Sequence, residues 1–230
     1  MNRIKLAAVG VITALSLAAC SYASPDANEQ VVHVNGGSII PTDKTIQDCI
    51  SGGNTEYNGP GDSYYTYPAG ERTYKFAKGG DGDPITIVKG NIPLVITGVV
   101  SFSLTSDCNT LKEFHKLIGT KVWATDKDGN MLHGYVDGGY GGWDTMLDTY
   151  IEQAIQSAAT AASVQIQAEY LSIYNGAGRA DLESAMRKLL PIYVQQLSGG
   201  KYFDSFNVTV NKQTIERQDI LDAIASKTVA

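Results

Sequence analysis

The chain has 230 residues, a formal net charge of −6, 43% hydrophobic and 18% charged residues, and three cysteines. Its acidity argues against nucleic acid as a partner, because phosphates repel it, and against attachment to anionic lipid by charge alone. The length suits one large domain, or a domain plus an appendage, with enough chain to bury a core without staples.

Residues 1–20 read as a processing signal. Arg3 and Lys5 open it, and Leu6 to Leu17 form an apolar stretch of about a dozen residues, short of the roughly twenty that span a bilayer. The stretch ends in Leu17-Ala18-Ala19-Cys20, which resembles the lipobox of bacterial lipoproteins. That resemblance implies removal of residues 1–19 as a signal peptide and lipid on the Cys20 sulfur, with palmitate among its acyl chains. It places the mature protein on the extracytoplasmic side of a cell membrane. The competing reading is an ordinary secretory signal cut nearby, with Cys20 an accidental thiol. Loss of Arg3 and Lys5, and of no acid, takes the net charge to −8. Two or three acyl chains give stable attachment where one would be marginal.

Residues 20–29 are small and polar and read as a lipidated tether. A strand signal follows at Gln30 to Val34, then a Gly36-Gly37 turn and Ile39-Ile40. Residues 51–63, rich in Gly, Asn and Pro, read as a surface loop. Tyr64 to Tyr67 and Thr73 to Phe76 look like two strands around a Pro68-Ala69-Gly70 turn. Ile85 to Val88 leads through Lys89-Gly90-Asn91 into a long strand, Ile92 to Leu104.

After Cys108 the pattern becomes helical. Leu111, Phe114, Leu117 and Ile118 are spaced as one helical face, and Gly119 is a stop. Residues 125–142 form a Gly- and Asp-rich insertion. Trp143 to about Ala162 is helical, with Met146, Leu147, Tyr150, Ile151, Ala154, Ile155 and Ala158 on one stripe. Residues 163–179 either continue that helix or break it. Ala180 to Leu197 is a second helix, which Pro191 should bend or split. Phe203 to Val210 alternates as a strand, with Phe206, Val208 and Val210 on one face, and Glu216 to Ala225 is a short terminal helix.

Two cysteines remain beside Cys20. In an oxidising compartment the pair Cys49 and Cys108 reads as a disulfide. Two buried free thiols or a metal site are the alternatives, and no CxxC or paired-His spacing supports the metal.

The order of elements resembles the SPFH or band-7 domain of stomatins, prohibitins and flotillins. The residues that carry the resemblance are Gly59-Pro60-Gly61-Asp62, Tyr67 through Tyr74, the strand around Gly98-Val99-Val100-Ser101-Phe102, Asp107-Cys108, Leu111 through Gly119, Trp143 through Ile151, and Phe206-Asn207-Val208-Thr209-Val210. The closer likeness is to band-7-like lipoproteins of actinobacteria and their phages, and it covers residues 30–226. It implies an α+β fold, with an antiparallel-rich mixed sheet in the N-terminal half and packed helices plus a closing strand in the C-terminal half. It also implies a non-enzymatic scaffold that self-associates on one membrane leaflet and organises lipids or membrane proteins, without a cofactor. The chain departs from that family in having a lipid anchor where relatives have an apolar hairpin or helix. It also lacks the long coiled coil that builds their large rings.

No catalytic motif stands beside this reading. His33, His115 and His133 fall on three elements without metal spacing. Asp126-Lys127-Asp128-Gly129-Asn130 begins like a calcium loop, but Met131 stands where that loop needs Gly, so an Asp-Gly turn is expected. Asp81 and Asp83 read as solvated loop acids. There is no GxSxG and no phosphate-binding GxxxxGK[ST]. The concentration of Tyr57, Tyr64, Tyr65 and Tyr67 has two readings: core packing, or an aromatic surface for a protein partner or lipid headgroups. Beside the scaffold stand two other readings: a binding lipoprotein that captures a ligand, protein or phage/host envelope partner, and an envelope hydrolase, against which the missing nucleophile and metal motifs count.

Overall fold

The β-branched and aromatic runs form strands, and the stripe-patterned second half forms helices, so the chain is an α+β protein. The computed structural model describes residues 22–36, 44–57, 59, 61–89, 92–136, 139–166 and 177–215, together with Asp219, Asp222 and Ser226. Cys20, Ile39-Ile40, most of 163–179 and most of the terminal helix expected over 216–225 lie outside these residues.

Two antiparallel sheets divide the β half. In the first, β2 (Glu29–Asn35) lies between β3 (Thr45–Ser51) and β5 (Ser63–Pro68). The second is built on β8 (Ile92–Leu104), which is 13 residues and about 40 Å long. On one side β8 pairs with β7 (Ile85–Lys89) and then β6 (Arg72–Phe76), and on the other with β11 (Phe203–Thr214). Every ladder between these strands is antiparallel, so the mixed character expected of the sheet reduces to one isolated parallel bridge, Phe76 to Gly82. The Pro68-to-Arg72 link does not close a hairpin: β5 and β6 belong to different sheets. Local turn chemistry marks where the chain bends, but it does not say which strand each arm will pair with.

Two devices shape the second sheet. Gly98 sits opposite Phe76 and Val210, and a Cβ there would fall 2.2 Å from the Thr209 carbonyl and 2.5 Å from the Phe76 ring. The missing side chain lets that ring lie across the strand. A bulge between Asp204 and Asn207, with Ser205 at φ 58°, brings both Phe203 and Phe206 to Phe102, at 5.7 and 6.1 Å.

Asp107 caps α1 (Cys108–Phe114), accepting from the Thr110 amide at 2.9 Å. A wider π-helical turn, His115–Gly119, continues it. The insertion that follows is a small hairpin, β9 (Val122–Thr125) and β10 (Met131–His133). Its turn is held by Asp126, whose carboxylate accepts from the Asp128 and Asn130 amides and the Asn130 side chain. This is the Asp-Gly turn expected from the sequence.

The helical rod runs through α2 (Gly141–Leu147), a π-helical turn Asp148–Glu152, and α3 (Gln153–Gln165). The helix therefore continues past Ala162 to Gln165. Its stripe is buried as predicted, and Ala154, Ala158 and Ala162 allow close approach of α4 (Ala177–Ser198). That helix buries Leu182, Met186, Leu190 and Val194 at four-residue intervals. Pro191 lies inside α4 without splitting it. The packing of Leu190 and Val194 on either side outweighs the loss of one backbone hydrogen bond, since each such side chain contributes about 1.5–3 kcal/mol on burial.

Candidate functional site

The residues singled out from the sequence separate into three places. Cys20 lies outside the described residues. Cys49 on β3 and Cys108 at the start of α1 are joined as a disulfide, with Cα atoms 5.7 Å apart. The bridge ties the first sheet to the helical half, and Lys112 adds an ion pair to Asp48 at 3.7 Å.

The tyrosines divide by strand face. Tyr67 is fully buried, so it is core and not partner surface. Tyr65 is half-buried and packs on the His115 and Tyr135 rings, which turns it toward the core. Alternation along β5 turns these two inward together and Tyr64 the other way. Tyr64 stacks on His33 at 4.7 Å and donates to the Tyr57 carbonyl, and Tyr57 remains 53% exposed.

These last residues lie beside the first paired segment among the described residues. Tyr22–Ala23 forms β1, antiparallel to β4 (Glu56–Tyr57). Gly53 donates to the Pro25 carbonyl, and Thr55 to the Ser24 hydroxyl. The expected tether is thus bound into the domain from Tyr22 onward. Beneath it, His33 Nε2 lies 3.0 Å from Asp62 and Nδ1 lies 3.5 Å from Glu56. The Gly36 amide, helped by His33 and the Gly59 amide, holds the Asp62 carboxyl below its ordinary value against the opposing effect of burial.

A further site was not read from the sequence. Asp144, Asp148 and Glu152 stand four residues apart along the α2–α3 rod and face β6 and the loop 77–84. Tyr74 donates to Asp148 at 2.8 Å and approaches Glu152 at 3.4 Å, and the Asp83 amide donates to Glu152. A cleft of about 250 Å³ is lined by Thr73, Tyr74, Asp81, Asp144, Leu147 and Asp148. Burial, then the charges of Asp148 and Asp81, raise the Asp144 carboxyl, and Arg72 opposes them. Burial and the same helix's carboxylates push the Tyr74 phenol far above its usual value. Such a groove can accept hydrogen bonds and positive charge. Asp81, expected as a solvated loop acid, instead accepts from the Lys75 amide and lines this cleft. The legible signal was the 144, 148, 152 spacing: three acids at i, i+4 and i+8 repel one another unless something else compensates.

His115 and His133 are spent on packing. His115 is buried against Tyr67, and His133 stacks on Tyr135. Among the described residues no group of three or more His, Cys, Asp or Glu is placed to hold a metal ion, and no helix is long and apolar enough to cross a membrane. No protein-family model matches the chain, and no curated protein matches it.

Proposed function

We propose that this chain is a lipid-anchored, non-enzymatic scaffold of the SPFH or band-7 kind, held by Cys20 on the extracytoplasmic face of a cell membrane. There it self-associates and organises membrane proteins or lipids. The observation that carries the reading is the pairing of Tyr22–Ala23 with Glu56–Tyr57. The described fold reaches to within two residues of Cys20, so lipid at that sulfur would hold the domain itself at the bilayer. The return of β11 beside the long β8, after a helical half, follows the element order on which the family resemblance rests. The test is the mass of the lipidated mature protein by light scattering in mild detergent. A discrete oligomer is the expected result, and a monomer at every concentration removes self-association.

The acid-lined cleft favours a second reading, a surface lipoprotein that captures a cationic ligand or a basic segment of a partner protein. Binding of a lysine-rich peptide that is lost in Asp144→Asn/Asp148→Asn, by a protein that stays monomeric, would put this reading first.

A further inference from the structure

We infer that the β1–β4 end of the domain, with Tyr57 at its surface and Tyr64 beneath, is the face that rests on the lipid headgroups. The inference depends on the lipid-anchor reading and adds to it a fixed orientation. Only two peptide units separate Cys20 from Tyr22, a span of at most about 7 Å. Tyr22 is paired with Tyr57 in an antiparallel ladder, and the neighbouring backbone is tied again by Gly53 to Pro25 and Thr55 to Ser24. An anchor at Cys20 therefore draws this end of the molecule, and no other, to within a few ångströms of the headgroup layer.

The surface chemistry fits that contact. Ser24, Asn54 and Thr55 are polar and uncharged, and Tyr57 carries an apolar ring with a polar tip, the side chain that favours the membrane–water boundary. The chain is acidic, and anionic headgroups would repel it. At this end, however, the two carboxylates nearest Tyr64, Glu56 and Asp62, both approach His33; Asp62 has only 9% of its side chain exposed, and Glu56 41%. The β7–β8 hairpin is at the other end of the second sheet, since β8 spans about 40 Å and its last residues adjoin β2 through the Gln30 hydrogen bond to Thr105. Val88, 60% exposed on that hairpin, marks the end turned away from the membrane.

The experiment uses the full lipidated chain in phosphatidylethanolamine–phosphatidylglycerol vesicles whose acyl chains carry bromine. Tyr57→Trp and Val88→Trp each add one exposed tryptophan to the two native ones, and the added emission is read as the difference from the unmutated protein. On vesicles, the emission added at position 57 should be largely quenched and that at position 88 unaffected. If the protein floats with the vesicles but position 57 is not quenched, or both positions are, the anchor stands and the orientation is wrong. If the unmutated chain floats no better than Cys20→Ala, the anchor reading fails and the orientation falls with it. Nitration of Tyr57 in the unmutated lipidated chain, mapped by mass spectrometry, needs no substitution. It should slow several-fold on vesicles relative to detergent, and an unchanged rate overturns the contact.

Discussion

The Tyr67 hydroxyl lies 2.6 Å from Nδ1 of His115, with both residues in the core. Burial keeps the phenol protonated and pushes the imidazole down to about 4, so the hydrogen bond between Tyr67 and His115 Nδ1 joins two neutral groups. An imidazole, a phenol and the Tyr65 and Phe114 rings thus share one site where β5 meets the first helix.

The sign of the resulting pH dependence is determined. An exposed histidine titrates near 6.5, and His115 in the fold near 4. Between those values the unfolded chain binds a proton that the folded chain refuses. The stabilising contribution is complete above pH ~6.5 and falls as pH drops toward 4, by on the order of 3 kcal/mol. Urea unfolding of the unmutated protein and His115→Gln across this window should show a shallower slope for the variant. Parallel slopes would remove the assignment.

The same site has no room at Gly119, where a Cβ would fall 2.0 Å from the Tyr67 hydroxyl. Gly119→Ala should displace the ring and cost about 1–3 kcal/mol, and Tyr67→Phe should cost about as much by leaving Nδ1 unpartnered. A denaturation midpoint unchanged in both variants would mean that the site relaxes freely.

The bridge between Cys49 and Cys108 closes a loop with a sequence separation of 59. In the chain-entropy account such a loop contributes about 4 kcal/mol. The double variant Cys49→Ala/Cys108→Ala should lose stability of that order in denaturant, and the unmutated protein should approach it when reduced. A loss well under about 1 kcal/mol would show that the Lys112–Asp48 pair and apolar contacts hold β3 to α1 unaided.

On the side of β11 turned from β8, two α4 side chains take up backbone groups: Arg187 donates to the Val208 carbonyl at 3.1 Å, and the Val210 amide donates to Glu183 at 2.8 Å. Glu183 and Arg187 also pair with each other at 3.7 Å. An open strand edge templates pairing with another chain, so the two side chains block it. Glu183→Ala/Arg187→Ala should cost about 1–3 kcal/mol and increase self-association by mass. A variant with unchanged mass at high concentration would show that the edge is protected in some other way.

Along the groove helix, Asp148→Asn removes one of the charges that raise Asp144. The Asp144 carboxyl should then titrate lower, moving toward the ordinary range in an NMR titration. A midpoint that stays or rises would show that burial alone controls it.

Much of the secondary structure was legible because it is a local property. Runs of β-branched and aromatic residues marked β2 and β8, alternation marked β11, and the stripe from Met146 to Ala158 marked the helical rod, since a side chain's face follows from its spacing along one element. The α+β class that the resemblance implied agrees with those patterns. The cysteine parity and the Asp-Gly turn were also local. The strand β3 carries a weaker pattern, with most of its residues exposed, and was not read. The fates of Tyr65, Tyr67 and Asp81 were not legible either, because each is decided by a residue distant in sequence: His115 for the two tyrosines, and the Asp144–Asp148 stretch of the helix for Asp81.

By itself the sequence determined most of where the chain extends or coils, and which stretch resembles a lipobox, because those depend on neighbours within a few residues. Only the tertiary structure decided that β5 and β6 enter different sheets and that the segment behind Cys20 is strapped to β4. It also decided that Asp144 and Asp148, one turn apart, share a cleft with Tyr74 and Asp81. Those outcomes follow from packing between segments tens of residues apart, where burial and long-range pairing outweigh the preferences of the local chain.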